Sequence, residues 1–135
     1  MKQSEYHLEI YDNPQELAWA AASRFASLAE QSIAERGTFT VALSGGSTPK
    51  AMFSLLAKSP FSTSLPWSDI QFFWGDERCV LPDHPDSNFR MTTETLLSKV
   101  AASPEKIFRI PAEDDDHQRA AERYATTLRQ TFNSE

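Results

Sequence analysis

The feature that most constrains the fold is a regular alternation of strand-like and helix-like segments along the chain. Short runs rich in aromatic and β-branched residues predict strands at residues 6–11, 38–43, 69–75 and 106–110. Stretches with apolar residues at helical spacing predict helices at residues 14–36, 49–58, 87–100 and 116–132. Strands that alternate with helices of this length need crossover connections, so we expect an α/β fold built on a parallel sheet.

The first predicted helix carries boundary signals at both ends. Asn13 can cap it, with Pro14 in the first turn and Glu16 three residues after the cap, and Gly37 can end it in a left-handed conformation. The apolar face expected for this helix consists of Leu17, Ala21, Phe25 and Leu28. The serine- and proline-containing stretch at residues 58–68 is expected to be a loop with some local order.

Length and composition indicate a single soluble domain. A chain of 135 residues with 40% hydrophobic content can bury a core of its own, and no linker divides it. No apolar run approaches the roughly 20 residues that cross a bilayer, and the first residues lack the apolar core of a signal peptide. We therefore expect one domain over residues 1–135, a cytoplasmic location and no membrane partner.

Charge and cysteine content argue against several functions. The net charge of −6 and the lack of a Lys/Arg cluster disfavour a nucleic-acid partner, because phosphate backbones are bound through concentrated positive charge. Cys79 is the only cysteine, which excludes an intrachain disulfide and a thiolate metal cluster. His7, His84 and His117 are not at metal-ligand spacing, and we assign them no catalytic role. We expect no bound metal.

A glycine-rich turn, Ser44-Gly45-Gly46-Ser47-Thr48, follows the second predicted strand and leads into a helix. Glycines there allow positive φ and close approach of a ligand, and free N–H groups at a helix start attract anions. A phosphate or carboxylate would fit, although Ser47 or Thr48 could instead simply cap the helix. The turn does not match the dinucleotide, P-loop or serine-hydrolase motifs, so those three classes lose support.

A charged segment, Asp76-Glu77-Arg78, directly follows the apolar third strand. In open parallel sheets ligands collect beyond the carboxyl ends of the strands, so this segment and the glycine turn are both candidate site loops. Arg78 could hold a sheltered carboxylate ionised or bind an anionic substrate. The alternative is an exposed charged turn with a local ion pair, which would contribute little.

Together the two loops resemble those of a known family. LSGGSTPKAMFSLLA at residues 43–57 and WSDIQFFWGDERCVLPDHPDSNFRMTTETLL at residues 67–97 resemble the N-terminal half of the 6-phosphogluconolactonases, in the wider family that includes glucosamine-6-phosphate isomerase. IFRIPAEDDDHQRAAERYATTLR at residues 107–129 resembles the segment that normally follows. The likeness covers essentially the whole chain, and the paired motifs are far more specific than either loop alone.

The resemblance implies roles for ten residues. The turn formed by Ser44, Gly45, Gly46, Ser47 and Thr48 would bind the phosphosugar. The residues implied to lie in the same site are Asp76 and Arg78 as catalytic groups and Glu77, Ser87 and Asn88 as substrate-binding groups.

The reaction implied is hydrolysis of 6-phosphoglucono-1,5-lactone to 6-phosphogluconate, in the oxidative pentose phosphate pathway. Water attacks the ring carbonyl, so the enzyme needs a base and oxyanion donors but no metal or organic cofactor. The isomerase branch typically has an aromatic residue after Asp-Glu, whereas this sequence has Arg78, which favours the lactonase.

The sequence departs from the family in one respect. The lactonases continue into a loop of the form Gly-x-Asp-Gly-His-Thr-Ala-Ser, whose histidine is the proposed general base, and this motif is absent. We therefore expect a Rossmann-like parallel sheet with helices on both faces, truncated at the C-terminal side and inactive or nearly so. The alternatives are an isomerase-like enzyme and a fragment that only binds anions or associates with another chain.

Overall fold

Three parallel strands and five α-helices make up the computed structural model, which describes residues 5–133. The strands are β1 (Phe39–Leu43), β2 (Ile70–Trp74) and β3 (Ile107–Phe108). The helices are α1 (Pro14–Arg36), α2 (Ser47–Leu56), α3 (Phe61–Ser64), α4 (Asn88–Thr95) and α5 (His117–Phe132). Short 3-10 helices occupy Trp67–Asp69, Leu97–Lys99 and Pro104–Lys106.

The sheet has the order β1–β2–β3, and both strand pairs are parallel. Leu43 pairs with Trp74, the last residue of β2, and Phe73 pairs with Phe108, the last residue of β3. The Gly75 amide donates to the Leu43 carbonyl over 2.9 Å, which continues the pairing beyond β2. All three strands therefore end at one edge of the sheet, and the loops that follow them start there.

Helices cover both faces of the sheet, as expected for an α/β fold. On one face the Trp67 ring stacks between Phe72 of β2 and Phe25 of α1, with centroid distances of 6.5 and 6.0 Å. Phe73 points to the opposite face, where its ring lies 6.3 Å from that of Tyr124 in α5. Successive residues of a strand point to opposite faces, so β2 contributes to both layers of packing.

The predicted boundaries of α1 are confirmed. The Asn13 side chain accepts a hydrogen bond from the Glu16 amide, and Gly37 ends the helix in a left-handed conformation with φ 78°. The expected apolar face was only partly right, since Leu17 and Leu28 are each 40% exposed. The residues that α1 buries are Ala18, Ala22, Phe25, Ala29 and Ser32. Small side chains allow α1 to lie close to its neighbours, so alanines rather than leucines form the contact face.

The strand predicted at residues 6–11 is absent, and this segment is irregular. Its side chains alternate as in a strand, but Tyr6, Leu8 and Ile10 are 86%, 70% and 84% exposed. A strand needs a neighbour that accepts and donates its backbone hydrogen bonds, and no described strand lies beside this segment. The alternating pattern was therefore an insufficient signal.

Other boundaries differ by a few residues from those predicted. The helix expected at residues 87–100 ends at Thr95 and is followed by a 3-10 turn, and the helix expected from residue 49 already starts at Ser47. The strand expected at residues 106–110 contains only Ile107 and Phe108. Residues 58–68 contain α3, so the local order expected there is present. Between residues 5 and 133, no helix combines the length and the apolar character needed to cross a bilayer.

Candidate functional site

The glycine turn connects β1 directly to the first turn of α2. Gly46 occupies the N-cap position with φ 105°, a conformation that favours glycine, and no side chain within residues 5–133 makes a capping hydrogen bond. The alternative in which Ser47 or Thr48 caps the helix therefore does not occur. Both of these residues are exposed in the first turn, so their hydroxyl groups and the uncapped N–H groups of the helix lie at the same end of α2.

Gly45 packs directly against the side chain of Asn88, the first residue of α4. A Cβ atom at Gly45 would overlap the Asn88 side-chain oxygen and would lie 2.9 Å from its amide nitrogen. Asn88 is only 8% exposed, so its side chain has little room to move away. Residues separated by more than forty positions thus meet at the edge of the sheet.

Asn88 also contacts the charged loop that follows β2. Its Nδ2 atom donates to the backbone carbonyl of Asp76 over 3.3 Å. The side chains of Asp76 and Arg78 are themselves exposed and form no ion pair with any residue between 5 and 133. One buried asparagine therefore touches both predicted loops and leaves the charged side chains free to meet a ligand.

Glu77 lies between the exposed residues of this loop but is engaged by protein groups. Its Oε1 accepts from the amides of Arg78 and Asn88 over 2.8 and 2.7 Å. Its Oε2 accepts from the Ser87 hydroxyl over 3.0 Å and from the Phe89 amide over 2.9 Å. The carboxylate thus sits at the N-terminus of α4, where negative charge is favourable.

Helix α4 is held in place by two further contacts. Ser87 caps it, since its Oγ accepts from the Arg90 amide over 3.1 Å. Trp74 Nε1 donates to Thr92 Oγ1 over 3.3 Å, and that hydroxyl donates to the Asn88 carbonyl over 3.0 Å. Thr92 is fully buried, so the end of β2 and the first turn of α4 are joined inside the core.

Tyr124 of α5 stabilises the end of β2 on the side facing β3, a contact that the sequence did not reveal. Its hydroxyl accepts from the Trp74 amide over 2.9 Å and lies 3.2 Å from the carbonyls of both Trp74 and Phe108. Burial raises the pKa of the Tyr124 hydroxyl, which keeps it protonated and able to donate. A single tyrosine at a helical position gives no sequence signal for this role.

Arg109 directly follows β3 and is paired with an acid. Its guanidinium donates to both carboxylate oxygens of Glu113, over 2.8 and 2.6 Å. These hydrogen bonds lower the pKa of Glu113 to about 2. On α5, Arg123 lies 3.5 Å from Asp114 and is 62% exposed. Arg109 could have been found from its place after a strand, but its charge is balanced locally.

The structure thus brings the two predicted loops together at the carboxyl edge of the sheet. Gly45, Asn88 and the Asp76 backbone are in direct contact, and Glu77 and Ser87 are joined to them through the first turn of α4. Ser44, Ser47 and Thr48 are exposed around the start of α2. The individual role of each residue toward a substrate stays a prediction.

A family model described as glucosamine-6-phosphate isomerases/6-phosphogluconolactonase matches residues 12–135. A 6-phosphogluconolactonase of Nostoc sp. is 43% identical over 105 residues, which cover 78% of this chain and 42% of that protein. A protein of Oryza sativa subsp. indica named probable 6-phosphogluconolactonase 3, chloroplastic, is 42% identical over 126 residues, which cover 93% of this chain and 38% of the relative.

Solved structures agree with these relatives. A structure named devB protein has a TM-score of 0.81 at 33% identity and covers 90% of this chain. A 6-phosphogluconolactonase from Shewanella baltica has a TM-score of 0.80 at 32% identity and covers 93% of this chain. The matched regions cover 49% and 52% of those two structures, so this chain spans about half the length of these solved relatives. The matching sequence and fold show that the chain belongs to the glucosamine-6-phosphate isomerase/6-phosphogluconolactonase family.

Proposed function

We propose that the two loops form the phosphosugar-binding part of a 6-phosphogluconolactonase site. The observation that carries this proposal is the contact of Asn88 with both Gly45 and the Asp76 backbone, which joins the glycine turn to the charged loop. Both loops follow parallel strands at one edge of the sheet, where ligands of such folds bind. The names of the relatives support the choice of a phosphosugar lactone as the ligand.

The phosphate group would lie at the start of α2. The uncapped first turn after Gly46 offers backbone N–H groups, and Ser47 and Thr48 add hydroxyl donors beside them. Ser44 and Gly45 complete the turn, and the small size of Gly45 keeps Asn88 close to the ligand. Arg78 supplies an exposed positive charge for the anionic substrate, in a protein whose net charge is −6.

The reaction would be hydrolysis of 6-phosphoglucono-1,5-lactone to 6-phosphogluconate. A water molecule attacks the ring carbonyl, the C–O bond of the ring breaks, and the product is a carboxylate with a free hydroxyl group. Asp76 and Arg78 are the polar groups that we place near the reacting carbonyl, where Arg78 could stabilise the oxyanion. The resemblance assigns the principal base to a histidine motif absent from this sequence, so we propose that these residues chiefly bind substrate.

The proposed partner is a small phosphosugar lactone, without a nucleic acid or a membrane. A single exposed cysteine, Cys79, fits a reducing compartment, and we propose a cytoplasmic location. The rice relative carries the word chloroplastic in its name, which describes that relative.

Binding of 6-phosphogluconate, measured by calorimetry, tests the site. Arg78→Ala should weaken binding of 6-phosphogluconate on the order of tenfold, because it removes a positive charge from the site that binds this anionic ligand. Arg123→Ala is the matched control, since Arg123 is also an exposed arginine but lies on α5 beside Asp114. Equal effects of the two substitutions would count against the site.

Turnover of freshly prepared 6-phosphogluconolactone tests the chemistry. We expect the rate with this chain to stay close to the spontaneous rate, and Asp76→Ala to leave it there. A clear acceleration that Asp76→Ala abolishes would show that these residues contain a working base and would contradict our assignment. Conversion of a phosphorylated aldose to a ketose would favour the isomerase branch instead.

A further inference from the structure

The carboxylate of Glu77 is saturated by hydrogen bonds from the protein. An ionised carboxylate has about four lone-pair positions on its two oxygens. Four donors occupy them, namely the amides of Arg78, Asn88 and Phe89 and the hydroxyl of Ser87. All four distances lie between 2.7 and 3.0 Å, the normal range for such bonds.

A saturated carboxylate is poorly suited to contact a phosphosugar. To accept a hydrogen bond from a sugar hydroxyl, or to act as a base, Glu77 would first have to give up one of its four protein donors. We propose that Glu77 is a positioning residue that fixes the first turn of α4, rather than a substrate-binding residue. This inference rests on the proposed function, because the ligand that it affects is the phosphosugar bound by the two loops.

The effect of Glu77 would reach the ligand through Asn88. Two of the four donors are the backbone amides of Asn88 and Phe89, so the carboxylate fixes the position of the Asn88 main chain. The Asn88 side chain in turn packs on Gly45 and donates to the Asp76 carbonyl. Glu77 therefore sets the distance between the glycine turn and the charged loop.

The rest of α4 is attached to the core without Glu77. The buried Thr92 links the Trp74 indole to the Asn88 carbonyl, and Leu96 beyond the helix end is fully buried. A change at Glu77 should consequently displace the first turn of α4 and the loop before it while the domain stays folded. This separation makes the proposal testable by substitution.

Glu77→Gln is the appropriate variant because it preserves size but replaces one acceptor oxygen by an NH₂ group that faces protein donors. Glu94→Gln is the control, since Glu94 lies on the same helix, is 61% exposed and pairs with Arg90 at its surface. Two quantities are measured for each protein. One is the ¹H–¹⁵N spectrum without ligand, and the other is the affinity for 6-phosphogluconate and for inorganic phosphate.

In the ligand-free Glu77→Gln protein we expect the amide signals of Gly45, Asn88 and Phe89 to shift, while those of Glu94→Gln stay in place. Affinity for 6-phosphogluconate should fall on the order of tenfold in Glu77→Gln alone, with weaker phosphate binding as well. A loss of affinity with an unchanged Gly45 signal would indicate direct contact with the sugar and overturn the proposal. Shifted signals with unchanged affinity would overturn it too.

The wild-type protein separates failure of this inference from failure of the proposed function. If wild type binds neither 6-phosphogluconate nor phosphate, the proposed function is wrong, and a positioning role in binding is wrong with it. If wild type binds both and Glu77→Gln binds them equally well, only the inference about Glu77 is wrong.

Discussion

At the scale of single residues, Gly45 carries the tightest steric constraint in the candidate site, because a side chain there would overlap that of Asn88. Gly45→Ala should destabilise the fold by about 1–3 kcal/mol, the usual cost of overpacking. It should also weaken binding of 6-phosphogluconate, since Asn88 must move away from the glycine turn. Urea unfolding and a ligand titration measure the two effects.

Gly37→Ala provides the control for this substitution. Gly37 has φ 78°, and a Cβ atom added there would meet no atom of the described residues within 4 Å, so alanine costs only backbone strain of roughly 1 kcal/mol. Ligand affinity should be unchanged. If steric overlap with Asn88 is the cause, adding Asn88→Ala to Gly45→Ala should give a loss of stability smaller than the sum of the two single losses. Strict additivity would contradict the proposed overlap.

The sequence motif groups the site residues but does not distinguish their individual roles. The motif resemblance selected Glu77, Ser87 and Asn88 together, and the structure does join them. The motif resemblance could not distinguish a residue that contacts substrate from one that holds a neighbouring residue in position, because both kinds are required in the same motif. That distinction depends on which lone pairs the protein already occupies, which only three-dimensional geometry supplies.

At the scale of secondary-structure elements, the hydroxyl of Tyr124 joins α5 to the ends of β2 and β3. Tyr124→Phe removes the hydroxyl that accepts a hydrogen bond from the Trp74 amide and lies 3.2 Å from the Phe108 carbonyl. We expect a loss of stability of about 1–2 kcal/mol, because the Trp74 amide loses its hydrogen-bond partner in a half-buried place. The free energy of unfolding in urea measures this loss.

Tyr11→Phe is the matched control for Tyr124→Phe. The Tyr11 hydroxyl bonds to Glu9 in an exposed segment, where water can replace the lost contact. Its effect on stability should therefore stay within about 0.5 kcal/mol, as for most surface substitutions. Similar losses for the two variants would show that the hydroxyl of Tyr124 does not stabilise the attachment of α5.

Elements with strong local signals were predictable, and elements that depend on distant partners were not. The cap at Asn13 and the ending at Gly37 fixed the bounds of α1, and the apolar runs before Ser44 and Gly75 identified β1 and β2. The segment at residues 6–11 has the alternation of a strand but lacks a paired neighbour in the described chain. A strand forms only when a second segment pairs with it, so an alternating pattern in one segment is insufficient to predict a strand.

The prediction of the buried face of α1 was partly wrong for a related reason. Periodicity gave the correct helix, and the apolar face predicted for it included Leu17 and Leu28. The contact face instead contains Ala18, Ala22 and Ala29, because close packing favours small side chains. The distance between α1 and a neighbouring element depends on the side chains of both elements. The hydropathy pattern of α1 alone therefore cannot predict which of its residues form the contact.

At the scale of the whole molecule, the described chain has exposed apolar side chains and two strand edges that no other strand pairs with. In the sheet of residues 5–133, β1 and β3 each have one side without a neighbouring strand. In addition, Tyr6, Leu8 and Ile10 expose most of their surface. Open strand edges and contiguous apolar residues both promote association between chains. The architecture therefore predicts that solubility and self-association, rather than folding alone, govern the behaviour of the isolated chain.

Substitution of the exposed apolar row, Leu8 and Ile10, tests this expectation. Wild-type protein should sediment with a mass that rises with concentration, whereas Leu8→Lys/Ile10→Lys should remain monomeric over the same range. Its stability should be nearly unchanged, because these two side chains are 70% and 84% exposed. Glu9→Lys raises the net charge by the same two units but keeps both apolar residues, so it should associate like wild type. If Glu9→Lys also becomes monomeric, charge repulsion rather than the apolar row controls association. If the wild-type protein is monomeric at every concentration, the predicted association does not occur.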